Sequence, residues 1–198
     1  MGLNLVYLPG QTPLDEEEKD RLKIKTIETK GELDEFEQKN IEQAIQWTLG
    51  RKYKTDKIIS ESFIKSLHQR MYSEVWIWVG NFRQTNKNIG VDRWQIPTEL
   101  RKLLNDTLFW IEHNSFSEDE IAIQFKHRIV SIHCFPNGNG RHSRLMADLI
   151  TEKIFKRKVF TWGQSNISSK HGIRTEYLNA LKKADKGNYT DSINFSRS

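Results

Sequence analysis

The chain has 198 residues, 36% of them hydrophobic and 29% charged, enough for one globular domain with a sizeable core. No apolar run approaches the roughly 20 residues of a membrane span, and the N-terminus turns acidic too early for a secretory signal. The net charge of +5 gathers late, with ten Lys/Arg against four Asp/Glu from Glu152 onward, but it follows helical patterns without zinc spacing or an aromatic RNA-binding signature, so direct nucleic-acid binding is not expected.

Residues 1–30 are polar and read as an extended or partly helical arm. ELDEFEQKNIEQAIQWTLG then sets Leu33, Phe36, Ile41, Ala44, Ile45 and Leu49 near one helical face, with Gly50 as a stop. Ser60 can cap a helix holding Phe63, Ile64, Leu67 and Met71. VWIWVGNFR and NKNIGVDRWQIP are rich in β-branched and aromatic residues broken by Gly80 and Gly90, so they read as extended pieces with one hairpin. Trp76, Trp78 and Trp94 are assigned to core and hairpin packing.

Pro97-Thr98 opens a helix with Leu100, Leu103, Leu104, Leu108 and Ile111 at helical spacing. Ser117 with Glu120 three residues on is a capping-box pattern for a helix reaching about Ile132. Another helix is expected from about Arg141 to Phe155, and a last one over RTEYLNALKKADK, closed by Gly187. The expected fold is mainly α with a small β element, which puts HCFPNGNG in a tight loop between two helices.

That loop carries the chemistry. Pro136 disfavours helix at Phe135, and Gly138 and Gly140 allow positive φ and close approach of a ligand. The next helix begins at once, so its first N–H groups and a partial charge of roughly +0.5 make an anion site. Arg141 and Arg144, three apart, share a face and can direct forked donors at one oligophosphate. His133 is placed to take a proton near neutral pH. Asn137 offers a carbonyl oxygen to magnesium or a hydrogen bond to phosphate, and Phe135 points to the core. The single cysteine, Cys134, can form no internal disulfide and reads as a buried neutral thiol, which fits a cytoplasmic protein. His127 is taken as structural and His142 as exposed.

HCFPNGNGRHSR resembles the signature of the Fic/Doc family: His, any residue, Phe, two variable positions, Gly-Asn-Gly-Arg, two more, Arg. His133, Phe135, Gly138, Asn139, Gly140, Arg141 and Arg144 all match, and a chance match is of order one in ten million. WVGNFR and ALKKADKGNY are similar to flanking segments of the family, so the likeness spans about residues 60–190. The opening residues and ELDEFEQKNI are similar to the subgroup called mobile mystery protein B, encoded beside a helix-turn-helix partner.

The resemblance implies a Fic-type helical bundle with a β-hairpin flap, an arm and helix over 1–57, and a Fic domain over 58–198. It implies an adenylyltransferase that moves AMP from ATP to a protein hydroxyl (AMPylation), with His133 as general base. Gly138, Asn139 and Gly140 would form the anion hole, and Arg141 and Arg144 would hold phosphates. Arg141 stands where phosphorylating Doc proteins carry Lys. Asn137 replaces the usual acidic magnesium ligand, which implies weaker Mg²⁺ binding. Ile89, Gly90, Val91 and Asp92 would form the flap that docks the protein target by strand addition.

Family members often restrain themselves with Ser/Thr-x-x-x-Glu-Gly/Asn. Only Thr12 with Glu16 approaches that pattern here, so control by an antitoxin-like partner, such as the helix-turn-helix protein, is expected. The other readings are a non-catalytic Fic-fold module for a DNA-binding partner, and transfer of another nucleotide or phosphate.

Overall fold

The computed structural model describes residues 13–163 and 170–198; residues 1–12 of the expected arm lie outside them. Asp15 caps a short helix, α1 (Glu16–Asp20), through a capping box with Glu18. Thr29 and Glu32 form a second capping box that starts α2 (Lys30–Leu49). α3 (Thr55–Ile58) is one turn, and Ser60 caps α4 (Glu61–Tyr72) by accepting from Phe63 N at 3.2 Å.

α2 packs on α4, through only part of the stripe its apolar spacing suggests. Leu33, Glu37, Asn40, Ile41, Ala44 and Thr48 are buried, whereas Phe36, Ile45 and Leu49 are exposed. Polar contacts set the rotation of α2. Asn40 accepts from Glu74 N and donates to Arg70 O, satisfying backbone groups at the end of α4 that no helical partner reaches.

The expected hairpin does not form. Residues 84–91 run as an irregular loop into a 3₁₀ turn (Arg93–Gln95) and α5 (Ile96–His113). Arg83 is the cause: its buried guanidinium donates to the carbonyls of Thr85, Val91 and His133, taking acceptors that a strand ladder would use. Asp92 then caps the 3₁₀ turn through Trp94 N. Trp94, expected to pack in a hairpin, is 73% exposed, while Trp76 and Trp78 are buried. No strand forms among the described residues; an isolated antiparallel bridge joins Leu22 to Trp76.

Ser117 caps α6 (Glu118–Ile132). After the signature loop, α7 (Asn139–Leu149) starts two residues before Arg141 and passes into a π turn (Ile150–Ile154). α8 (Lys170–Ala184) packs on α9 (Thr190–Arg197), a helix its polar sequence does not announce. The core joins α4, α5, α6 and α7 through Ile64, Leu67, Met71, Leu100, Leu103, Ile123, Phe125 and Met146, each fully buried. No described helix is long and apolar enough to cross a membrane.

Candidate functional site

His133 ends α6 in the left-handed region (φ 58), its N–H still donating to Ile129 O at 3.2 Å. A non-glycine residue there is strained, and the turn aims the chain across the start of α7. The loop is fixed from within. Asn139, 5% exposed, accepts from Phe135 N at 2.9 Å and donates to Phe135 O at 2.7 Å, so its side chain braces the loop and only its backbone N–H remains to meet a ligand. The Phe135 ring stacks on His68 at 3.7 Å, and His68 Nε2 lies 3.1 Å from Asn137 O. His142 is buried rather than exposed, with Nε2 3.1 Å from Ile64 O, because α7 turns that face onto α4.

Gly138 caps α7 with φ 77, so positive φ is needed there; Gly140 is already helical. By position, the N–H groups of Asn139, Gly140 and Arg141 have no intrahelical acceptors and open onto a groove of about 1230 Å³. His133, Asn137, Gly138, Asn139, Gly140, Arg141 and Arg144 all line this groove, as do Ile89 and Gly90 of the loop above it. Val91 and Asp92 do not; Val91 N instead donates to Ile132 O at 3.4 Å. A Cβ on Gly90, whose φ is 100, would fall 2.6 Å from His133 Cβ, so glycine lets the loop lie against the histidine.

The two signature arginines differ. Arg141 pairs with Glu37 of α2, and its guanidinium carbon lies 5.2 Å from the centre of the Tyr72 ring. Arg144 has no carboxylate within ion-pair distance among the described residues and lies over Tyr177 at 5.1 Å and Trp162 at 5.9 Å. Lys126, almost fully buried, donates to the Tyr177 hydroxyl at 2.9 Å. Burial raises the Tyr177 phenol, but the Lys126 and Arg144 cations outweigh it and hold the group below its usual range. Val130, Leu178, Leu181 and His127 also line the groove, with His127 Nε2 3.1 Å from Asp185.

Burial pushes His133 down to about 4, helped by the Arg83 and Lys87 cations, so its imidazole is neutral at pH 7. Burial likewise pushes the Cys134 thiol up to about 12, leaving it inert. Asn137 Oδ1 accepts from Gly138 N at 2.6 Å and keeps a second lone pair. It fits as one neutral ligand of a magnesium ion held mainly by phosphate oxygens; no cluster of three or more His, Cys, Asp or Glu exists among the described residues.

Glu37, Tyr72, Arg83 and Lys126 were not singled out by sequence reasoning. The WVGNFR stretch carries a signal for Arg83; nothing local marks the other three.

Comparison with known proteins gives the same frame. A model of the Fic/DOC family matches residues 58–151. Among solved structures, the N-terminal FIC domain of the translocated effector Bep8 from Bartonella sp. 1-1C superposes with a TM-score of 0.68 at 14% identity, over 90% of each chain. BepC from Bartonella tribocorum, solved with bound AMPPNP, gives 0.66 at 16% identity over 92% of this chain and 97% of its own. Fic-1 (residues 134–508) from C. elegans gives 0.66 at 17%, over 97% of this chain and 50% of its own. At these identities the likeness establishes the fold.

Proposed function

We propose that this chain, which carries a Fic/DOC family domain at residues 58–151, is a protein adenylyltransferase that moves AMP from ATP to a Ser, Thr or Tyr hydroxyl of a target protein. The observation that carries this reading is that a neutral histidine, an open helix N-terminus and two arginines line one groove large enough for a nucleoside triphosphate. BepC, which shares the fold, was solved with AMPPNP, and that supports a nucleotide here.

In the proposed reaction the triphosphate lies along the first N–H groups of α7, with Arg141 and Arg144 on its terminal phosphates. The target hydroxyl oxygen attacks the α-phosphorus as His133 takes its proton. The bond from the α-phosphorus to the bridging oxygen breaks, and its electron pair leaves with pyrophosphate. His133 begins neutral, as a base must, and the incoming phosphates raise its proton affinity. Asn137 Oδ1 would be the protein ligand of a magnesium ion, which would supply charge neutralisation at the phosphates. Ile89, exposed and lining the groove, docks the target through side-chain contacts. Arg83 and Ile132 engage the loop backbone only at Thr85 and Val91, which leaves the backbone of Ile89 and Gly90 for strand addition by an extended target.

Restraint is assigned to a second protein, the helix-turn-helix partner implied by the likeness to the mobile mystery protein B subgroup, acting in the cytoplasm. Glu16 pairs with Lys19 on the surface of α1, and among the described residues Arg144 has no carboxylate within ion-pair distance, which is consistent with a brake from outside the described residues.

Incubation of purified protein with magnesium, a cell lysate and ATP labelled at either the α- or the γ-phosphate tests the reaction. Label from the α-position should enter protein and fall about 10²–10⁴-fold in His133→Ala. Label only from the γ-position would make the chain a kinase, and no label from any nucleotide would leave it a binding module.

A further inference from the structure

Glu37 belongs to α2, outside the residues matched by the family model. It is 1% exposed, yet its two oxygens have separate tasks: Oε1 accepts from Trp76 Nε1 at 2.6 Å, and Oε2 pairs with Arg141. Trp76 is itself fully buried, so the carboxylate cannot swing away. The Tyr72 ring lies beside the guanidinium, and the Tyr72 hydroxyl donates to Gly138 O at 3.3 Å. Arg141 lines the groove and its side chain is 34% exposed, whereas Glu37 does not reach the groove.

Two effects compete here. A carboxylate beside Arg141 partly cancels the charge that attracts phosphate. It also fixes the guanidinium in advance, so less rotamer freedom is lost when an anion binds. Glu37 Oε2 engages Nη2 alone and Arg141 still lines the groove, so further guanidinium donors can meet an anion there. Fixation therefore outweighs cancellation.

We propose that Glu37 is a positioning residue for the signature: it holds the Arg141 guanidinium at the groove wall, oriented to receive an oligophosphate. The proposal rests on the reading that the groove binds the phosphates of a nucleotide.

The test compares wild type, Glu37→Gln, Arg141→Gln and the double variant, titrated calorimetrically with ATP and separately with inorganic tripolyphosphate. Glutamine keeps the acceptor for Trp76 and removes the charge. Glu37→Gln should weaken tripolyphosphate binding about ten-fold, and the double variant should bind no worse than Arg141→Gln. In NMR spectra of the free protein, the Arg141 Nε–H signal should be sharp in wild type and broadened in Glu37→Gln. Unchanged or tighter binding by Glu37→Gln, or a double variant weaker than Arg141→Gln by the full factor, overturns the proposal. If Glu37→Gln does not fold, the double variant, which leaves no unpaired buried charge, is judged against Arg141→Gln by the same rule. Wild type that binds tripolyphosphate but not ATP would defeat the nucleotide reading and leave Glu37 to be decided on tripolyphosphate; binding of neither defeats both.

Discussion

Gly138 and Tyr72 occupy adjoining space so closely that a Cβ on the glycine would lie 2.5 Å from two carbons of the tyrosine ring. The glycine is therefore required by the fold, before any ligand arrives. Gly140 has open space where its Cβ would stand and no positive φ. Gly138→Ala should cost about 2 kcal/mol or more through strain and overlap, seen as a lowered melting temperature. Gly140→Ala should melt no lower than wild type yet bind ATP more weakly, because only an approaching phosphate needs that space. Equal melting temperatures for wild type and Gly138→Ala would contradict the first claim, and unchanged ATP affinity in Gly140→Ala the second.

Arg144 is the signature cation that no carboxylate neutralises among the described residues. Arg144→Ala should leave melting nearly unchanged and weaken ATP binding by about 1.5–3 kcal/mol, the usual worth of a charge-assisted contact. The same freedom predicts that the chain expressed alone labels proteins and slows growth in a His133-dependent way, and that a co-expressed partner suppresses both. Purified wild type that stays silent until Glu16 is replaced would place the brake inside the chain.

Asn137→Asp should lower the magnesium concentration that gives half-maximal transfer, because a carboxylate is the stronger ligand for Mg²⁺. Its oxygen can still accept from Gly138 N, so the loop is not disturbed. A titration midpoint that stays in place would remove Asn137 from the metal shell.

Acid should destabilise the protein between pH 6.5 and about 4. His133 and His142 are both pushed down to about 4 by burial, and His68 and His127 are lowered for the same first reason. His133 and His142 are neutral when folded and take a proton when unfolded across that window, and the lowering of His68 and His127 acts in the same direction, so the unfolded state binds more protons and stability falls as pH falls. The shifts of His133 and His142 correspond to about 3 kcal/mol apiece. Asp148, raised to about 6 by burial, works in the opposite direction and offsets part of the loss. Melting temperatures measured from pH 7 to pH 4 should fall throughout; a flat profile would mean these histidines are already charged in the fold.

The signature loop was legible because its spacing is local: the residues that fix the turn and face the groove fall within His133–Arg144. α6 was legible because Ser117 and Glu120 mark its start and its apolar residues repeat. The loop at 84–91 was misread because β-branched composition reports extended backbone but not its partner, and here the partner is an arginine side chain. Glu37 was illegible for a related reason. In ELDEFEQ it looks like any solvated glutamate, and its burial is decided by Trp76 and Arg141, 39 and 104 positions away. His142 was misjudged because the face of α7 that meets α4 cannot be chosen without both helices in place.

Arg83 has a consequence for how such a protein diversifies. One guanidinium holds Thr85, Val91 and the carbonyl of His133 together, so both ends of the intervening loop are tethered to the histidine by a single side chain. Residues between those tethers, including exposed Ile89, can change without moving the imidazole. On the proposed docking role of the tip, substrate preference and chemistry would be separable in inheritance: the tip could be exchanged among related proteins as a cassette, provided that Arg83 and the glycine at 90 travel with it.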